Sequence, residues 1–262
     1  MTVFKHEMKL GSKGFLIWAS SIGFMLLICV LMFPDMKSEM ESVNEIFANM
    51  GSFTAAFGMD RLNFGTLMGF YGVECGNVIG IGGGFYAALI GISALAKEEK
   101  EHTGEFLLTQ PVSRRRVVLE KLGAVMAQVI ALNIIVAAIS IISFLIIGED
   151  LPVKEFTLLH TAYLLLQLEI AAICFGISAF IKNSSMGIGL GLATTLYFLN
   201  IIRNISDKGE FLKYFTPFAY AEPADILTET GLNGGLIAIG AACTILGVLA
   251  ALWQYNRKDI SV

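Results

Sequence analysis

Glu169 stands in the run LLLQLEIAAICFG, and it is the residue of this chain whose position most invites chemistry. A carboxyl group at the middle of an apolar span is expensive to bury, and it persists neutral, paired or facing water. Two roles are open to it: a hydrogen bond to a polar group on another span, or a place on a transport path. The other reactive side chains are scattered. His6, His102 and His160 lie far apart in the sequence, so a metal site would need them brought together. Cys29, Cys75, Cys174 and Cys243 all fall in apolar stretches at irregular spacing, which suits small core residues and gives no disulfide framework. No GxxxxGK[ST] occurs, so ATP binding and hydrolysis are not expected on this chain. The pair Glu98-Glu99 invites an intramembrane protease, but such a site wants an arginine four positions after the second glutamate, where Thr103 stands. No catalytic, cofactor or metal residue is assigned.

The elements that must carry these residues follow from composition. Hydrophobic residues make up 55% of the 262, charged ones 15%, and the mean hydropathy is +0.71. A soluble domain of this length needs more polar surface. The expected class is an all-α integral membrane protein, one transmembrane domain over 1–262 with six spans. These are residues 14–33, 72–96, 122–147, 156–181, 185–202 and 232–253, each long enough to cross a hydrocarbon core of about 30 Å. The net charge of -4 says little, because in membranes the placement of Lys and Arg matters more than their sum; nucleic acid is not an expected partner.

Ahead of the first span, Lys5, Lys9 and Lys13 recur every four residues with Phe4, Met8 and Leu10 between them. That pattern predicts an amphipathic helix over 1–13 lying on the membrane surface, followed by an uncleaved span. In the second span Gly72, Gly76, Gly80 and Gly84 fall on nearly one helix face, where small residues let another helix approach, and Gly82-Gly83 suggests a kink. Gln128 and Asn133 in the third span are placed to hydrogen-bond across to a neighbour. Residues 203–231, rich in aromatics and carrying Pro217 and Pro223, suit short helices dipping into the outer interface.

Orientation comes from the 18 basic residues. Alternating spans put twelve on the side of the termini (Lys5, Lys9, Lys13, Lys97, Lys100, Arg114, Arg115, Arg116, Lys121, Lys182, Arg257, Lys258) and six on the other (Lys37, Arg61, Lys154, Arg203, Lys208, Lys213). The positive-inside rule then makes both termini, and the segment 97–121, cytoplasmic.

That segment, KEEKEHTGEFLLTQPVSRRRVVLEK, is a charged insert between apolar spans. Its first half has helix-forming residues, Pro111 stops that helix, and Ser113 is placed to cap a second one running from Arg114 into the next span. The bent pair offers acidic, apolar and basic surface to a partner. It resembles the first cytoplasmic loop of the type-2 family of ATP-binding-cassette (ABC) exporter permeases. The positions that carry the resemblance are Glu98, Thr103, Glu105, Leu107, Leu108, Pro111, Val112, Ser113, Arg114 and Lys121; His102 departs from the glycine usual before the threonine.

The resemblance implies a multi-pass permease subunit of a prokaryotic cell membrane, with the loop acting as a coupling helix. It implies docking of a soluble ABC ATPase subunit through Glu98, Thr103, Glu105, Leu107, Leu108 and Arg114, pairing with a second permease chain, the same or related, contact with membrane lipid, and re-entrant helices over 203–231. A secondary transporter or channel using Glu169 is the alternative reading.

Overall fold

A computed structural model of the chain describes residues 2–37, 50–97, 113–181 and 186–257. Six helices are long and apolar enough to cross a membrane, and no strand occurs among the described residues. In chain order the helices are α1 (Thr2–Lys37), α2 (Ser52–Ala56), α3 (Leu67–Ser93), α4 (Arg114–Ile147), α5 (Val153–Ser178), α6 (Met186–Ile205), α7 (Pro223–Glu229) and α8 (Gly234–Arg257). Two 3-10 segments, Asp207–Tyr214 and Pro217–Ala219, connect α6 to α7. Spans α1, α3, α4, α5, α6 and α8 alternate in direction, so the start of α1, the end of α3, the start of α4 and the end of α8 share one end, here the loop end.

The first helix corrects an expectation. No surface helix ends at residue 13; α1 runs unbroken for 36 residues. At 1.5 Å per residue that is about 54 Å, well beyond a bilayer core of about 30 Å. Its first turns are packed against α4. The Phe4 N–H donates to Glu120 Oε2 at 3.1 Å, and Gly11 lies so close to Gln128 that a Cβ there would stand 2.5 Å from the carboxamide oxygen. Lys5, Lys9 and Lys13 remain exposed. The helix α4 is nearly as long, at 34 residues. Ser113 caps it, Oγ accepting from the Arg116 N–H at 3.3 Å, and Gly148 closes it at φ 73°.

The second span is irregular where glycine is dense. It contains two π turns, Tyr71–Cys75 and Val78–Gly82, and returns to α-helix at Gly83 without breaking. A π turn shifts backbone groups out of the regular ladder. Here the Ile79 carbonyl accepts from Gln167 Nε2 of α5 at 3.1 Å, and Gln167 Oε1 accepts from Asn133 Nδ2 of α4 at 2.8 Å. One side chain thus joins three spans. Tyr86 of α3 likewise donates to Gln128 of α4 at 3.0 Å.

Backbone meets backbone elsewhere. A Cβ on Gly91 would lie 2.5 Å from the Ala171 carbonyl oxygen, one on Gly176 2.7 Å from that of Gly247, and one on Gly247 2.6 Å from that of Ala172. These close approaches seat α5 between α3 and α8. Inside lipid, where hydrophobicity does not drive helices together, such contact is a main source of cohesion.

Candidate coupling site

Residues 98–112 lie outside the described part of the chain, and with them Glu98, Thr103, Glu105, Leu107 and Leu108. What is described is the frame that holds this segment. One root is Lys97, just after α3; the other is Ser113, at the head of α4. The first is tied directly to the first turns of α1, the second through Glu120 and Lys121 two turns further along α4. Glu7 forms ion pairs with Lys97 and with Lys121, the latter at 3.1 Å. The Lys121 side chain is 1% exposed, and its ammonium also donates to the Ala94 carbonyl at 2.7 Å, near the end of α3. A buried ammonium needs both a counter-charge and acceptors, and Glu7 and Ala94 supply them. Glu120 adds a second tie, receiving the Phe4 N–H and pairing with Arg116 Nε at 2.9 Å.

Arg114 stands half-buried, with Nη1 donating to the Tyr255 carbonyl of α8 at 3.4 Å, while Arg115 and Arg116 face outward. The loop end therefore gathers α1, α3, α4 and α8 around the two roots of one segment. No group of three or more potential metal ligands occurs among the described residues. Sequence reasoning missed Glu7. Its signal was a single acid among Lys5, Lys9 and Lys13, visible only if its partners are known.

The four stripe glycines are all buried. Gly76 faces the Tyr163 hydroxyl and Gly80 its ring; Gly84 packs on Ile170 and Phe218, and Gly72 on Pro223 and Leu227. The neighbours they admit are side chains of α5 and of the 217–227 region, with no helix backbone among the nearest contacts.

Between α6 and α8 the chain turns back in short helices. Pro217, Phe218, Ala219 and Tyr220 are buried, with Phe218 packed edge-on to Tyr197 at 5.3 Å, while Phe211, Tyr214 and Phe215 are exposed. Charged and amide groups fix this region. Asp225 of α7 receives Arg203 at 2.7 Å and Arg61 at 2.5 Å, and Glu222 receives Asn200 at 2.8 Å and Asn204 at 2.9 Å. Lys213 bonds Glu210 at 2.6 Å, and this bond, with Arg203 nearby, holds the Glu210 carboxyl below the usual carboxylate range.

Glu169 is buried on α5. Its Oε2 accepts from the Tyr220 hydroxyl at 2.9 Å and lies against Gly240, where a Cβ would collide with it. The partner is therefore on the turned-back segment and not on another span. His160 sits apart, its Nε2 2.9 Å from the Tyr71 hydroxyl.

A family model described as "ABC-2 family transporter protein" matches residues 1–260. No curated protein matches the chain.

Proposed function

The chain belongs to the ABC-2 transporter family and is a multi-pass membrane permease; on that premise we propose that it is the permease subunit of an exporter driven by ATP hydrolysis on a separate soluble subunit. The observation that carries the reading is the double clamp of Glu7 on Lys97 and Lys121. It fixes both roots of the 98–112 segment to the spans, so the segment can pass a push from an ATPase into the bundle. The docking contacts proposed are Glu98, Thr103, Glu105, Leu107, Leu108 and Arg114. The excess of basic residues at the loop end supports a cytoplasmic location for it and for both termini, in the cell membrane of a prokaryote.

A second permease chain, identical or related, is part of the proposal, and α6 supports it. A span facing lipid should be strongly apolar, and a less apolar one should be buried. The spans α3 and α5 follow the rule, being modestly apolar and mostly enclosed; α1, α4 and α8 follow it in the opposite sense. The helix α6 breaks it, as the least apolar of the six and yet largely open. Its open face carries Gly187, Gly191 and Thr195 at four-residue spacing, with nothing among the described residues within 4 Å of a Cβ built on Gly191. Small residues at that spacing suit close helix approach, and a facing α6 of a second chain would cover them.

The test is a pull-down of the tagged chain from gently solubilised membranes, with mass spectrometry. A stoichiometric soluble partner bearing a phosphate-binding loop, lost on Glu105→Arg, is the expected result. Recovery of the chain alone, under conditions that preserve known complexes, overturns the reading.

A further inference from the structure

Below the 207–220 turns lies an open crevice of about 150 Å³ between α5, α6 and α8. Taking about 30 Å³ for one molecule of liquid water, its volume is about that of five waters, enough for a head group and the first atoms of a chain. Its walls are largely apolar, with Leu196, Leu236, Ile239 and Phe215 among them. Glu169 forms part of its floor. Counting along α5, this residue is 16 positions from Val153 and 9 from Ser178, so it is roughly 24 Å and 14 Å from the two ends.

Only one oxygen of that carboxyl group is used. Oε2 takes the Tyr220 hydroxyl. Oε1 has no hydrogen-bond partner among the described residues, and it is not among the sealed, unpartnered atoms of the interior; it faces the crevice. Gly240 makes this possible, since any side chain there would displace the carboxyl group. Lys213 also lines the crevice, its ammonium paired with Glu210 at 2.6 Å. The crevice therefore offers a carboxyl oxygen without a hydrogen-bond partner among the described residues, at a depth where a carboxylate is tolerated when a cation faces it.

We propose that this crevice binds the head group of a cationic amphiphile, a primary ammonium on an apolar chain, with Glu169 as its counter-ion. The ammonium donates to Oε1 while Tyr220 holds Oε2, and the apolar walls take the first carbons of the tail. This deepens the permease reading and rests on it, for it names the chemical class of the cargo or of a lipid that occupies its place.

Binding of labelled decylamine to the purified chain in phosphatidylcholine nanodiscs tests it, with empty nanodiscs subtracted. Saturable binding is expected, displaced poorly by decanol, and weakened about tenfold or more by Glu169→Gln, which removes a charged hydrogen bond. Cys243→Leu, which narrows the crevice without touching the acid, should also weaken it, and it carries the test should Glu169→Gln fail to fold. Absence of saturable binding overturns the proposal, as does equal competition by decanol or unchanged affinity in both variants. Transport of decylamine by the reconstituted complex marks it as cargo, and binding without transport marks a lipid-type ligand. This assay needs no ATPase, so a failed pull-down with Glu169-dependent binding removes the exporter reading and leaves the site, and the converse removes the site alone.

Discussion

Replacing Glu7 with Gln should cost more than its place near the chain start suggests. The Lys121 side chain is 1% exposed, and those of Glu7 and Lys97 are 11% and 19% exposed. Without the carboxylate, Lys121 keeps the Ala94 carbonyl but loses its counter-charge. Breaking a fully buried pair from one side costs about 3–5 kcal/mol; because Glu7 is partly open to water, about 2–3 kcal/mol is expected here. Lys121→Met in the same chain should restore part of that, because the stranded charge is gone and Lys97, being more exposed, loses about 0–1 kcal/mol on its own. The double variant should thus be more stable than Glu7→Gln by about 1–2 kcal/mol, a coupling outside the additivity expected of independent sites. Unfolding by detergent titration in mixed micelles measures it. The same single variant should keep its ATPase partner, because Glu7 lies outside 98–112, while transport per ATP hydrolysed falls. If the two substitutions add within about 0.5 kcal/mol, the charges do not act as a pair and the clamp argument fails.

Two further outcomes separate packing within the chain from packing between chains. Gly247→Leu drives a side chain into the Ala172 carbonyl and should abolish folded yield, whereas a Cβ on Gly191 meets nothing within 4 Å among the described residues; Gly191→Leu should fold normally, yet lose cross-linking between α6 helices in membranes. Gln167→Leu removes one of two hydrogen bonds from the Ile79 carbonyl, which keeps the Gly83 N–H, and one from the Asn133 amide, which keeps the Val129 carbonyl; a loss of about 1 kcal/mol in the same unfolding assay is expected, and an unchanged value removes Gln167 as a joint between the three spans.

Much of the fold could be read from local pattern. The six spans announced themselves by length and hydropathy, and Ser113 capped α4 where a proline two residues earlier had ended the preceding helix pattern. Gln128 and Asn133 did bond across spans, since a carboxamide in an apolar run has few other solutions. What stayed hidden depends on distant residues. The first turns of α1 are tied down by Glu7 and Phe4, whose partners lie 90 to 116 positions away; locally, the lysine pattern reads as a surface helix. The glycine stripe of α3 drew attention by its regularity, but the backbone crossings use Gly91, Gly176 and Gly247, which form no repeat. Glu169 was legible as an oddity, though its partner Tyr220 sits 51 positions on, in a segment read only as interfacial.

The packing also bears on the proposed coupling role of the loop end. Contacts concentrate in two groups, α1 with α4, and α3 and α8 with α5. The 98–112 segment leaves one group at α3 and enters the other at α4, so it crosses the seam between them. Polar joints across the seam include Gln167 with Asn133, Tyr86 with Gln128 and Tyr71 with Ser140 in the bundle, and Glu7, Lys97, Lys121 and the Arg114–Tyr255 contact at the loop end. Glycine crossings hold α3, α5 and α8 together through backbone contact, which yields little. The polar joints along the seam are thus the contacts that side-chain substitution can loosen without touching backbone packing. Glu169 stands on α5, Gly240 on α8 and Tyr220 on the turns before α7, so the floor of the crevice is shared by three elements.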